Sequence, residues 1–270
     1  MIRDPSFIYL ATILPPILIG LIIWKSDKFP EPGKFLLASF LLGVSIYLPL
    51  DFLIFLTQDH LAPLIGLDIK NEPYTPGEFS FLMFFRAAFL EEGLKFALLL
   101  FFCVRLSDLN EPMDAVVYGA AIGLGYAAME NIPYLNTGDP ETAWTMIAVK
   151  GRYYPLIMHL GFGVLMGWLL SLNLFEERSH FKRRLMLILA LLIPVIFHGS
   201  YNYLGAYDVF PALTLIMVMG IVYYQRREQE RKITESVEKA RVENIDVFYS
   251  YLITFTFVAL TVGSVMFVNK

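Results

Sequence analysis

One cysteine, Cys103, stands in 270 residues, and it lies inside an apolar run. That excludes a disulfide framework and a cysteine-based metal site. Charge is scarce as well: Asp, Glu, Lys and Arg make up 17% of the chain, against about 25% in a soluble globular domain. No HExxH segment occurs, so the usual zinc-protease helix spacing is missing. Neither a repeat nor a low-complexity tract is evident. No Ala-x-Ala site follows the first apolar run, Phe7 to Trp24, which is long for a signal-peptide core and reads as a retained helix.

What the chain has in quantity is apolar surface, with 57% hydrophobic and 15% aromatic residues and a mean hydropathy of +0.58. Stretches near the length needed to cross a bilayer, about 20 residues, recur throughout. The pattern predicts an all-α polytopic membrane protein of eight transmembrane helices, near 7–24, 35–57, 79–104, 113–135, 153–175, 185–204, 208–224 and 247–268. It reads as a single integral membrane domain over 1–270. The net charge of −4 says little about partners, because in a membrane protein the position of charge matters more than its sum.

Position does speak to orientation. The first, third, fifth and seventh connections carry fourteen Lys and Arg, and the opposite side carries five. Cytoplasmic loops carry the excess of positive charge, so both termini are predicted outside the cytoplasm. The outer loop 58–78 is acidic, and its apolar piece Leu61–Ile69 is too short to span. The charged cytoplasmic connector 225–246 repeats Ile233, Val237 and Ala240 at helical spacing and is expected to prolong a helix as a solvated connector.

The stretch Arg86-Ala-Ala-Phe-Leu-Glu91-Glu92-Gly93-Leu94-Lys95 breaks the apolar rule. Four ionisable residues sit within the run Phe79 to Val104, each costing about 2.5–3.5 kcal/mol near a helix centre. Such charges face a protein interior or a polar cavity. Lys95 can reach both carboxylates, one turn before it on the helix. Adjacent Glu91 and Glu92 point about 100° apart, so one can hold the lysine while the other faces a cavity.

Further polar residues interrupt the next three spans. Gly119 and Gly123 form a ridge for close helix approach, followed by Glu130 and Asn131. An end-of-helix carboxylate in interfacial water is the lesser reading of Glu130, and a place in the polar site the greater one. The fifth span carries Arg152 and His159 on one face, and the sixth carries His198 and Asn202 stacked one turn apart. A single buried histidine is more often a core residue than a catalyst, but two inside spans beside a glutamate pair weaken that reading. His60 and His180 fall in loops and take no role. At about 1.5 Å rise per residue, Glu91 lies roughly 18 Å from the outer end of its helix, His159 roughly 9 Å and Asn202 a few. A polar cavity between helices 3–6, on the outer side of the midplane, can therefore hold them together.

These segments resemble a known family. Glu91-Glu92-Gly-Leu-Lys95 is similar to EExxK, Tyr126-Ala-Ala-Met-Glu130-Asn131 to FxxxEN, His159-Leu-Gly-Phe-Gly163 to HxxxG, and His198-Gly-Ser-Tyr-Asn202 to HxxxN. In this order, each on its own membrane helix, they resemble the PrsW family of intramembrane proteases, a branch of the superfamily containing CAAX prenyl endopeptidases and bacteriocin-processing proteins. The motif-bearing core is 79–204; the last span, 247–268, lies outside it. Tyr126 stands where the pattern has Phe.

The resemblance implies peptide-bond hydrolysis in a prokaryotic plasma membrane, on a membrane-anchored protein and near the extracytoplasmic side. The family's best-known substrate is an anti-sigma factor. The implied partners are that protein and the lipid bilayer, with no nucleic acid. Glu91 is the expected base, His159 helps hold the water, His198 and Asn202 stabilise the oxyanion, and Glu92 is tied to Lys95. Lys95, Glu130, Asn131, Arg152 and Tyr126 support them. Sequence does not set helix rotation, so Glu91 and Glu92 stay exchangeable. No cofactor is favoured; a zinc version would use Glu91, His159 and His198 around an open position. The rival readings are a non-catalytic scaffold or chaperone on the same fold, and a proton-coupled transporter. The transporter reading fits intramembrane Glu, His and Arg but is disfavoured by the absence of a repeat.

Overall fold

The computed structural model describes residues 5–106, 108–135, 146–176, 179–205 and 209–236, with backbone alone for 5–9, 11, 12, 135, 146–151 and 234–236. Among the described residues every regular element is helical. In chain order these are α1 (Pro5–Ser26), α2 (Gly33–Ser45), α3 (Tyr47–Leu56), a π-helical turn (Thr57–Leu61), α4 (Ala62–Leu64), α5 (Pro76–Ser80), a π-helical stretch (Phe81–Phe89) and α6 (Leu90–Phe101). A 3-10 turn (Cys103–Arg105) leads to α7 (Pro112–Leu135), α8 (Met146–Leu174), α9 (His180–Leu204) and α10 (Val209–Ser236).

Among the described residues, four helices are long and apolar enough to cross a membrane: Gly33–Leu64, Arg152–Leu174, His180–Leu204 and Val209–Ile233. The first runs past the expected end at 57, through the π-helical turn to Leu64. The helix bearing Arg86, Glu91, Glu92 and Lys95 is too charged to count among the four. The expected last span, 247–268, lies outside the described residues. Leu48, Leu64, Phe181 and Ile216 are exposed by 68–83%, as expected of side chains facing lipid.

The core forms around α7, whose residues Met113–Ala128 are all buried. Lipid is as apolar as leucine, so helices in a membrane associate through close packing. α7 meets that need with small residues on two faces. A Cβ on Gly119 would strike the carbonyl oxygen of Gly163, and one on Gly123 the carbonyl oxygen of His159, both on α8. On the other face, Gly125 lies against the Phe40 carbonyl and Gly43 of α2 against that of Ile122. The glycine ridge read from the sequence thus becomes backbone contact with two neighbours.

Local chemistry sets the helix ends. Thr75 and Glu78 form a reciprocal capping box at the start of α5, satisfying amides the helix itself cannot. Ser179 accepts from Lys182 N at the start of α9, and Gly205 closes it in the left-handed region at φ +61°. α10 continues through the charged connector as far as Ser236. Its first part is no solvated arm: Gln225, Arg226 and Gln229 are each 4% exposed. Arg226 Nη1 donates to the Ser26 carbonyl at 2.6 Å, holding this stretch on the end of α1.

Candidate active site

The π-helical stretch Phe81–Phe89 leads directly into Glu91 and Glu92. A π-helical segment changes the rotation of the helix beyond it, and such segments recur at functional sites. α9 reaches this wall closely because Gly199 has no side chain; a Cβ there would enter the Phe84 ring. Gly123 brings α8 against α7 in the same way, at the His159 carbonyl. Glycines on two helices therefore gather Glu91, Glu92, Glu130, His159 and His198.

Glu92 is the hub. Its Oε1 accepts from Lys95 Nζ at 2.8 Å and is 2.8 Å from His198 Nδ1. Glu92 and Lys95 are buried to within 1%, so each charge is neutralised by a neighbour rather than by solvent. Glu91 is held more loosely, with Oε2 4.0 Å from Lys95 Nζ and 3.9 Å from His198 Nε2. Its side chain keeps 12% exposure, against none for Glu92. Glu92 therefore holds the lysine closely, while Glu91 keeps a longer contact to it and a hydrogen bond from the Tyr126 hydroxyl.

His159 differs from its expected role as a holder of water. Its Nδ1 is 2.8 Å from Lys95 Nζ and its Nε2 is 3.0 Å from Glu130 Oε2. An ammonium can only donate, so Nδ1 accepts and the ring proton sits on Nε2, directed at Glu130. Both ring nitrogens are occupied. Glu130, expected to support the site, is a direct partner of the cluster and completes the chain Glu92, Lys95, His159, Glu130.

Aromatic rings close the sides. The Lys95 ammonium lies 4.1 Å from the Tyr126 ring centroid, a cation–π contact, and the same ring meets His159 edge-on at 4.9 Å. Phe162 stacks on His198 at 5.3 Å. The sequence reading did not single out Phe162, although it lies within the HxxxG segment, one helical turn after His159. The hydroxyl that distinguishes Tyr126 from Phe hydrogen-bonds Glu91.

The remaining candidates stand further out. Asn131 is 2% exposed with Oδ1 unpartnered. The Arg152 guanidinium covers the Tyr134 ring at 3.6 Å. Asn202 is half-buried one turn beyond His198, and no hydrogen bond among the described residues joins it to the cluster.

The donor set also fits a metal. Glu91, Glu92, His159 and His198 each offer one ligand atom, all within 4.8 Å of one another. Oε2 of Glu91 and Oε2 of Glu92 are buried without a hydrogen-bond partner. Carboxylate oxygens beside imidazole nitrogens suit zinc.

Comparison with known proteins gives a consistent result. Residues 31–225 match the family described as PrsW family intramembrane metalloprotease. The chain is 32% identical to Protease PrsW of Bacillus subtilis over 72% of its own length and 80% of that protein. With Protease PrsW of Geobacillus kaustophilus it shares 30% identity over 72% of this chain and 77% of the other. With that of Oceanobacillus iheyensis it shares 29%, over 78% and 88%. No solved structure matches.

Proposed function

The chain belongs to the PrsW family of intramembrane metalloproteases, and from that membership we propose that it cuts a membrane-anchored protein with Glu91 as the base that activates water. It is an intramembrane protease of the bacterial membrane. The observation carrying the Glu91 assignment is the unequal holding of the two carboxylates. Glu92 is fixed by Lys95 and His198, whereas Glu91 faces His198 Nε2 across 3.9 Å. One water can make a hydrogen bond to each side of such a gap.

In this reading Glu91 takes a proton from the water as its oxygen bonds to the scissile carbonyl carbon. As the doubly protonated imidazolium, His198 donates Nδ1–H to Glu92 and Nε2–H to the developing oxyanion, and Asn202 adds its amide from the next turn. Glu91 then returns the proton to the leaving nitrogen as the C–N bond breaks. Lys95 keeps Glu92 charged and holds His159, whose other nitrogen Glu130 fixes.

Beyond the four apolar helices, the remaining apolar segments also cross in this reading, for eight spans, with a polar cavity between the motif-bearing helices. Both termini are extracytoplasmic, the cut falls near that side, and an anti-sigma factor is the proposed substrate. The charge bias of the loops supports this orientation.

A metal-dependent version is favoured by the unpartnered Oε2 atoms of Glu91 and Glu92. Glu91 and His198 would hold the zinc, with His159 as third ligand once Lys95 releases its Nδ1. Zinc would supply Lewis acidity and lower the pKa of a bound water.

The test is cleavage of a single-span protein by the purified full-length chain in proteoliposomes. Activity that is lost in Glu91→Gln and survives exhaustive chelation supports the metal-free reading. Activity lost on chelation and restored by zinc supports the metal version. Folded wild-type protein that cuts nothing, with or without zinc, contradicts both.

A further inference from the structure

A second group of carboxylates converges at the end of the helices that carries Lys25, Lys28 and Lys34. Asp27 and Glu31 come from the α1–α2 connection, Glu111 and Asp114 from the approach to α7 and its first turn. Asp27, Glu31 and Asp114 are 3%, 4% and 1% exposed. One oxygen each from Asp27, Glu111 and Asp114 lies within 4.8 Å of the others. Like charges brought this close out of water are costly unless something positive joins them.

Hydrogen bonds satisfy part of the group. Asp27 Oδ1 accepts from Gln229 Nε2 at 2.7 Å and Phe29 N at 2.9 Å. The same Gln229 nitrogen donates to Glu111 Oε1 at 2.6 Å. Asp114 Oδ2 accepts from the Asn110 and Glu111 amides, both at 2.8 Å. Glu31 accepts from the Tyr118 hydroxyl. Asp27 Oδ2 and Asp114 Oδ1 are then left buried without a partner. Arg226 Nη1 donates to the Ser26 carbonyl and Lys28 Nζ pairs with Glu230 at 3.6 Å; Arg226 acts on Asp27, and Lys232 on Glu111, through space rather than by a hydrogen bond.

We propose that Asp27, Glu111 and Asp114 bind a hard divalent cation of the Ca²⁺, Mg²⁺ or Mn²⁺ class, separate from the Glu91–His198 cluster. All donors are oxygens, which such ions prefer and zinc does not require. Glu111 is only half-buried, and its side of the group is the route by which an ion enters. Gln229 reaches the same carboxylates from α10, so a bound cation ties the α1–α2 connection, α7 and α10 together. No motif in the sequence marks this group, because its members come from distant segments with no ligand spacing.

The experiment is Mn²⁺ binding to the chelator-treated, detergent-solubilised full chain, read by electron paramagnetic resonance with Ca²⁺ and Mg²⁺ as competitors. Wild type is expected to bind an Mn²⁺ that Ca²⁺ or Mg²⁺ displaces. Asp27→Asn/Asp114→Asn lowers the bound Mn²⁺ by one per chain, and Glu111→Gln weakens that binding by about tenfold or more. His159→Ala/His198→Ala leaves it in place. The Glu111→Gln arm alters only the half-buried ligand and serves if the double variant does not fold. Wild type that binds no Mn²⁺, or equal binding in wild type and the carboxylate variants, overturns the proposal and leaves protons as the neutralising charge.

Discussion

Glu92 Oε1 stands 2.8 Å from His198 Nδ1, which fixes the ring so that Nε2 points toward Glu91. The same oxygen takes Lys95 at 2.8 Å, so one buried atom serves two helices. Glu92→Gln should therefore damage folding as well as activity. Lys95 would keep only the longer contact to Glu91 at 4.0 Å, a loss of up to about 3–5 kcal/mol, the cost of breaking a buried pair. Thermal unfolding of the purified variant in detergent measures this; a midpoint equal to wild type would mean that Glu92 is not the structural member of the pair.

Glu130 Oε2 stands 3.0 Å from His159 Nε2. Glu130→Gln should leave substrate binding near wild type and lower kcat. A hydrogen bond to a charged group is worth about 1.5–3 kcal/mol, which corresponds to a loss of roughly tenfold to a hundredfold or more. Steady-state kinetics separate the two constants, and Glu130→Asp should recover part of the loss if position and charge both matter.

The α7–α8 seam makes a steric prediction. Gly119→Ala or Gly163→Ala places a methyl against a backbone carbonyl that cannot rotate away, and overpacking of this kind costs about 1–3 kcal/mol or more. Gly220→Ala on the exposed side of α10 meets nothing within 4 Å and should raise stability by about 0.5–1 kcal/mol. Opposite shifts in the unfolding midpoint are the expected signature.

Much of this was legible in the sequence. EExxK placed Lys95 one turn from each carboxylate, and the glycine ridge announced a close helix contact. Helix rotation was not legible, because the π-helical stretch Phe81–Phe89 resets it just before Glu91 and no local signal marks it. For the same reason the contacts of His159 with Lys95 and Glu130 could not be read. The burial of Arg226 and Gln229 was hidden too. Their charged surroundings look solvated in sequence, yet their partners Ser26 and Asp27 lie at the far end of the chain.

Acid should loosen the loop between α4 and α5. Asn71 and the Lys70 amide hold Asp68 below the ordinary carboxylate range, and the Thr75 amide and hydroxyl do the same for Glu78. A lowered folded-state pKa means the contribution is present above the ordinary value, near pH 4, and disappears as pH falls through the lowered one. Hydrogen-exchange protection at Thr75–Phe79, taken relative to the intrinsic rate at each pH, should therefore fall below about pH 4, and Glu78→Gln should flatten that dependence. Unchanged protection across the range would show that these hydrogen bonds do not hold the loop.

The most direct measurement compares native membranes carrying wild-type protein with membranes carrying Glu91→Gln, cataloguing new protein termini by mass spectrometry. Gln keeps the shape and part of the hydrogen bonding of Glu91 but cannot take the proton. The expected result is a set of cuts near the extracytoplasmic end of single-span proteins that appears with wild type and vanishes with Glu91→Gln. Identical catalogues from two folded, equally abundant proteins would contradict Glu91 as the base.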